Sequence, residues 1–397
     1  MKLALVHDYL SQDGGAEKVL EVFREIWPEA PIFVLFHDED KIDQFDEEKI
    51  RESFLGNAPL IKSNYRYYLP LMPLATESYD FSEFDVVLSS TSAFAKGVLT
   101  DSDTLHISYC HTPTRYLWTE THDYISNLDC NFLTKKALPY LLYRLRMWDK
   151  MSVSRVDKFL TNSKTVEDRI DKFYDRNSEV FYPPVEVDQF SVSSEIGDYY
   201  LAGGRLVPYK RFEMVVKAFN RLGEKLKIFG FGPLEDKLKN QANENVEVLG
   251  KVSEEKKIDL FTKAKAFIHP QKEDFGLTAV ESMASGRPVI AYNQGGATET
   301  VKDGTGVLFD RQNWGAILDT VRQFNPSAWS PKKISSWAKK FSKQSFKTEL
   351  RKFVEAEFEN FKSNSQQRET KEKILAKFPD FNQEKSKSRT TMSEFLK

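Results

Sequence analysis

A chain of 397 residues, 40% hydrophobic and 29% charged, carries enough apolar mass for two domains of ordinary size. Its 57 Lys and Arg stand against 59 Asp and Glu, and the resulting formal net charge of −2 gives no electrostatic reason for a nucleic-acid partner. Two cysteines, Cys110 and Cys130, provide no disulfide framework and fit a reducing compartment, and no apolar run approaches the roughly 20 residues of a membrane-spanning helix.

The N-terminal stretch MKLALVHDYL enters a strand at Leu3-Ala4-Leu5-Val6. Its apolar run is too short for an export signal, so the expected place is the cytoplasm, with peripheral contact at the membrane face left open. His7-Asp8-Tyr9 and a glycine loop, Gly14-Gly15, follow before helical spacing begins at Val19, Leu20 and Phe23. A double glycine after a strand is either a plain turn or a close backbone approach to a ligand, and it falls short of the full dinucleotide fingerprint. Residues 31–36 and 85–90 are short apolar runs suited to a parallel sheet covered on both faces.

Residues 105–109 form another strand, ending in Cys110-His111-Thr112-Pro113-Thr114-Arg115-Tyr116-Leu117-Trp118. Histidine, arginine and large aromatics thus crowd a strand end, where open α/β sheets bind ligands. His111 is either functional or structural on this ground alone. Residues 159–163 are a strand, Lys164 to Phe173 a capped helix, and Val180 to Val185, with Pro183-Pro184, a rigid linker. Residues 61–70 and 135–148 mix cations with aromatics and leucines. Either they face a lipid headgroup layer, or Leu138, Leu141, Leu142 and Leu145 belong to the core and the cations flank it.

The second half restarts the rhythm. Strand 199–202 runs into Gly203-Gly204-Arg205-Leu206-Val207-Pro208-Tyr209-Lys210-Arg211, whose three cations suit phosphate oxygens or are ordinary surface charge. Strand–glycine patterns recur at 227–233, with Gly232, and at 246–252, with Lys251 and Val252. Strand 266–268, a loop holding Glu273, Asp274, Phe275 and Gly276, a helix from Leu277 to Ser285 and strand 289–291 then make one parallel crossover unit. The N–H groups at the Leu277 end of that helix suit a phosphate. Glu273 before the helix and Glu281 inside it suit two ends of an extended polar ligand, or are solvated charges. A helix carries Trp314, Ile317, Leu318 and Val321, and an amphipathic one spans Ser345 to Phe361. From Lys362 the composition turns polar, which predicts a mobile or partly helical tail. The triplets Asp38-Glu39-Asp40 and Asp101-Ser102-Asp103 read as solvated charge rather than metal ligands.

Together GGRLVPYKRF, FGFGP, EDFGLTAVESMASGRPVIAYNQGGATETV and TNSK…FYPPVEVDQF resemble the retaining, GT-B-fold glycosyltransferases of family GT4, over about residues 1–360. The resemblance implies an α/β fold of two Rossmann-like domains facing each other across a cleft. Residues 1–183 would be the acceptor-binding domain and 184–344 the nucleotide-sugar domain. Residues 345–361 would cross back to the first domain, ahead of a polar tail, 362–397. Catalytic roles fall by resemblance on His111, Glu273, Arg205 and Lys210. Donor binding adds Gly14, Gly15, Gly232, Lys251, Val252, Phe275, Gly276, Leu277 and the ribose-binding Glu281. Arg115, Tyr116 and Trp118 fall on the acceptor side.

The HTPTRYLW element and the HDYL…GGAEKV opening look most like bacterial mannosyltransferases of O-antigen and exopolysaccharide assembly. The implied reaction moves a sugar from a nucleotide diphosphate, GDP-mannose before UDP-hexoses, to a glycan or lipid-linked saccharide. No metal and no cofactor is implied, because protein cations meet the leaving phosphate. Three alternatives stay open: an epimerase, a phosphorylase (for which a cofactor-lysine context is missing), and a two-lobed binding protein without catalysis.

Overall fold

The computed structural model describes residues 1–127 and 132–377; Cys130 and the expected tail from Phe378 onward lie outside the described residues. Seven strands build the first sheet: β1 (Leu3–His7), β2 (Ile32–Val34), β3 (Ile50–Glu52), β4 (Val86–Thr91), β5 (Leu105–Cys110), β6 (Lys158–Thr161) and β7 (Ser178–Val180). All pair in parallel, in the order β3-β2-β1-β4-β5-β6-β7. The central strands β1, β4 and β5 are buried along their whole length, which is why they read as continuous apolar or small-residue runs rather than alternating ones. The second sheet contains β8 (Tyr199–Gly203), β9 (Lys225–Phe229), β10 (Val246–Gly250), β11 (Phe267–His269), β12 (Val289–Tyr292) and β13 (Gly306–Phe309), also all parallel, in the order β10-β9-β8-β11-β12-β13.

Each order reverses once. In the first sheet the chain builds outward from β1 to β3 and resumes on the other side at β4; in the second it leaves β8 for β10 and resumes at β11. Loops at the carboxyl ends of β1 and β4, and of β8 and β11, therefore diverge and open a crevice. These four loops hold Asp8, Ser92, Arg205 and Glu273.

Two crossings join the domains side by side. Val185 donates its N–H to Phe341 O at 2.9 Å, and Lys343 donates to Val185 O at 3.0 Å. The last helix, Lys343–Lys377, then packs Phe346, Leu350, Val354 and Phe358 into the same core as Leu20, Phe23 and Tyr109 of the first domain. This helix runs well past the expected end at Phe361. No Gly or Pro interrupts 343–377, and Gln, Glu and Lys are good helix formers even where no apolar stripe remains. Of the four leucines in doubt in the helix Phe132–Ser152, Leu138, Leu142 and Leu145 are core, packed with Ile61, Leu69 and Met72, and Leu141 packs against them partly buried.

Candidate active site

Both crevices open on one cavity of about 580 Å³ between the domains. On the second domain's side the loop after β11 carries Glu273, and Gly276 starts the helix Leu277–Ala284 with φ +93°. A side chain at Gly276 would be strained in that left-handed conformation and would press on His269, whose Nε2 lies 3.1 Å from the position of a Cβ. Gly296 lets a neighbouring turn lie against the same loop, since a Cβ there would stand 2.4 Å from Phe275 Cα. Backbone contact thus fixes the loop, leaving its side chains to the cavity.

Lys210 Nζ pairs with Glu273 Oε1 at 2.7 Å, and His269 Nε2 stands 3.8 Å from Glu273 Oε2. Burial alone would raise the Glu273 pKa, but the Lys210 ammonium outweighs it and holds the carboxyl below its ordinary range. Burial pushes His269 down to about 4, against the pull of Glu273, so it is neutral. Arg205 also lines the cavity, and its guanidinium makes no ion pair or side-chain hydrogen bond among the described residues. One engaged and one free cation therefore stand beside a helix N-terminus, an arrangement that suits a diphosphate.

On the first domain's side His111 lines the cavity with its Nε2 edge turned inward, 2.8 Å from Ser90 Oγ. Burial, then the neighbouring His7, lowers its pKa to about 3, leaving a neutral imidazole. Gly15 lies so close to the opposite domain that a Cβ would touch Leu277 Cδ1 at 3.7 Å. Asp8, which sequence reasoning passed over, shapes this wall. Its carboxylate accepts the backbone N–H groups of Ser92 and Ala93 at 2.7 and 2.9 Å, and of Phe94 and Ala95 at 2.7 Å each. Four amide donors on one carboxylate tie the end of β1 to the loop after β4. An acidic residue directly after a buried strand was the available signal.

Two carboxylates of the second domain reach across the cleft. Asp274 accepts from Arg115 at 2.6 Å and from Arg169 at 2.7 Å. Glu299 accepts the N–H groups of Lys164 and Thr165 at 2.9 and 3.3 Å, at the start of the helix Lys164–Tyr174. Burial would lower the Arg115 pKa, but Asp274 reverses the shift and raises it.

The cavity therefore brings together His111, Arg115, Tyr116, Arg205, Lys210 and Glu273, along with Gly15, Phe275, Gly276 and Leu277. Other expected members stand elsewhere. Trp118, expected to meet the acceptor, donates its indole N–H to Asp149 at 2.7 Å and stacks on Phe173, so it belongs to the packing behind the site. Arg115 lines the cavity but spends its charge on Asp274 rather than leaving it for an acceptor. Glu281 pairs with Lys257 at 2.9 Å and lies off the cavity wall, because four residues of helix carry it about 6 Å beyond Leu277. One of its oxygens, Oε2, is buried without a partner. Gly14, Gly232, Lys251 and Val252 do not line the cavity either: Val252 packs on the second domain's core, and the Lys251 ammonium sits over Phe231. Among the described residues no group of three or more His, Cys, Asp or Glu is placed to hold a metal ion, and no helix is long and apolar enough to cross a membrane.

Two parallel-sheet α/β domains meeting at their switch points across a cleft define the GT-B fold, and solved GT-B structures superpose on nearly the whole chain. HepE of Anabaena, crystallised with UDP, aligns over 90% of this chain and 100% of its own with a TM-score of 0.63 and 16% identity. Residues 188–341 match the model of the family described as glycosyl transferases group 1. Over 207 residues the chain is 28% identical to an uncharacterized glycosyltransferase of Methanocaldococcus jannaschii, covering 50% of this chain and 58% of that protein. It is likewise 28% identical over 207 residues to the O-antigen chain mannosyltransferase RfbU of Salmonella typhimurium, covering 49% of this chain and 57% of the relative. The chain thus matches less than two thirds of the length of either relative.

Proposed function

We propose that this protein is a retaining glycosyltransferase that moves a sugar from a nucleotide diphosphate to a hydroxyl of a glycan or lipid-linked saccharide in cell-surface polysaccharide assembly. The observation that carries the reading is the Glu273–Lys210 pair, beside the Gly276 helix start and free Arg205, facing His111 across one cavity. A diphosphate laid against Arg205, Lys210 and the N–H groups of Phe275, Gly276 and Leu277 puts its attached sugar between Glu273 and His111. As the sugar–oxygen bond breaks, negative charge grows on the departing phosphate, where fixed cations and amide donors already stand. The acceptor hydroxyl attacks from the face that the phosphate leaves and gives its proton to a phosphate oxygen. Of the other carboxylates lining the cavity, Asp8 is engaged by four backbone N–H groups and Asp274 by Arg115 and Arg169, so neither is offered as the nucleophile that double displacement requires. The roles given to Gly14, Gly232, Lys251, Val252 and Glu281 remain part of the donor proposal, reached by a longer nucleotide that extends past the cavity.

Mannose from GDP-mannose is the preferred donor, supported by the mannosyltransferase name of the Salmonella relative. A UDP-hexose is the second reading, supported by the UDP complex of the Anabaena protein. Attachment to an anionic membrane surface is part of the proposal. Leu60, Tyr67, Leu71 and Leu74 stand exposed on one segment and Tyr140, Tyr143, Met147 and Met151 on another, with Arg66, Lys135, Lys136 and Arg144 exposed among them. Liposome flotation tests that part, and protein remaining at the bottom of the gradient refutes it. The donor is tested by thermal shift with GDP, UDP, ADP and their sugars, since a ligand that binds only the folded state raises Tm. Incubation with the selected nucleotide sugar then separates the classes: transfer supports the proposal, an isomerised sugar nucleotide indicates an epimerase, and binding without turnover a binding protein.

A further inference from the structure

Behind His111 the first domain holds a file of polar groups that the transfer scheme does not use. Ser90 Oγ, on β4, lies 2.8 Å from His111 Nε2 and 3.1 Å from His7 Nδ1. His7 ends β1, and its Nε2 stands 3.8 Å from Glu17 Oε1, in the first turn of the helix Gly15–Ile26. That last separation exceeds a hydrogen bond but is close enough for a carboxylate to attract a ring N–H strongly in a dry interior. The Glu17 side chain is only 3% exposed, has no lysine or arginine partner among the described residues, and leaves Oε2 buried without any hydrogen bond. The N-terminal turn of its helix favours a negative charge there. Helix polarity does not explain why the carboxylate is aimed at His7.

The file has a direction. A carboxylate only accepts, a serine hydroxyl donates one proton, and a neutral imidazole carries one N–H. Glu17 therefore draws the His7 proton onto Nε2, which leaves His7 Nδ1 to accept from the Ser90 hydroxyl. Ser90 Oγ in turn accepts from N–H at His111 Nε2. The remaining ring nitrogen of His111, Nδ1, takes no hydrogen bond among the described residues and is left with a lone pair, on a side chain that lines the cavity. Neighbouring groups do not compete: the Asp8 carboxylate is engaged by four backbone amides, and Tyr109, edge-on to His111 at 5.1 Å, donates its hydroxyl to Phe181 O.

We propose that Glu17, His7 and Ser90 are positioning residues that hold His111 with its proton on Nε2, so that its Nδ1 accepts a hydrogen bond from a hydroxyl of the sugar in the cavity. This rests on the sugar-transfer reading of the cleft. The consequence is orientation. A lone pair on this wall welcomes a hydroxyl and repels phosphate oxygens, while Arg205 and Lys210 on the other wall do the reverse. The two walls together admit the donor in one sense only.

Long-range proton–nitrogen NMR on protein labelled with 15N-histidine reads the tautomer directly, with the His111 signals identified by their loss in H111Q. The expected spectrum has His111 protonated on Nε2 in the wild type and shifted toward the Nδ1–H form in E17Q and S90A. A wild-type His111 protonated on Nδ1, or an E17Q spectrum identical to wild type at His111, overturns the proposal. In steady-state transfer, E17Q and S90A are expected to lower kcat about tenfold or more, within the range of a positioned acid–base group, with the donor KM within about twofold. S90T, which keeps the hydroxyl, is expected to recover most of the rate. Loss of rate without a change of tautomer assigns Glu17 to packing and overturns the proposal. Absence of any transfer in the wild type defeats the functional reading alone, since the tautomer is measured without turnover.

Discussion

Asp274 and Arg115, 159 positions apart in the chain, meet at 2.6 Å across the cleft, and Arg169 takes the other oxygen of the same carboxylate. Asp274 directly follows Glu273, so the contact that joins the domains also grips the loop beside the proposed diphosphate. Asp274→Asn is expected to weaken closure by about 1–2 kcal/mol, less than for a fully buried pair because the Arg115 side chain is 42% exposed. Small-angle scattering should show a larger radius of gyration, and kcat/KM should fall about tenfold. Unchanged scattering together with unchanged kinetics would show that the pair does not hold the cleft.

Lys210 is the cavity cation fixed by its pair with Glu273, and Lys210→Met roughly keeps its length while removing its charge. Transfer is expected to fall about 10²–10³-fold, the usual cost of deleting one donor that faces developing negative charge. A variant with more than about a third of the wild-type rate would remove Lys210 from the chemistry.

With protein cations at the phosphate, EDTA is expected to leave the initial rate within about twofold of the untreated enzyme. In the first aspartate triplet Asp38 is buried rather than solvated and pairs with Lys41 at 2.5 Å, and Glu39 pairs with Lys62 at 2.7 Å. Complete loss of rate, restored only by added divalent ion, is the outcome that contradicts this site.

Three buried histidines set an acid limit on stability. Burial lowers His106 and His269 to about 4 and His111 to about 3, against an ordinary value of 6.5. Between those values and 6.5 the unfolded chain binds protons that the folded chain refuses, so stability is full above 6.5 and declines as the pH falls through this window. At pH 5 each contributes a loss of roughly 2 kcal/mol relative to pH 7.5. Urea midpoints at the two pH values check the sign, and a midpoint that rises on acidification contradicts it.

Much of this architecture was legible in the chain because a parallel sheet covered on both faces leaves a local mark: Val86-Val87-Leu88 and Phe267-Ile268 are apolar without alternation. Glu273 and Lys210 were legible because glycine and charge recur at strand ends. Partners remote in sequence were not. Nothing around Asp274 announces Arg115 or Arg169, and nothing near Glu17 announces His7. Trp118 misled because its neighbours Arg115 and Tyr116 do line the cavity, while a short helical turn, Arg115–Trp118, points it toward Asp149 instead. The extent of the last helix was hidden because the sequence beyond Phe361 is largely polar and leaves no periodic apolar trace.

That last helix has a consequence for how the molecule is made. Phe346, Leu350, Val354 and Phe358 complete a core whose other members lie mostly before residue 161. As the chain emerges during synthesis, the first domain therefore waits with an unfilled apolar groove while the whole second domain is produced, and only then receives its closing piece. The half that is started first is finished last.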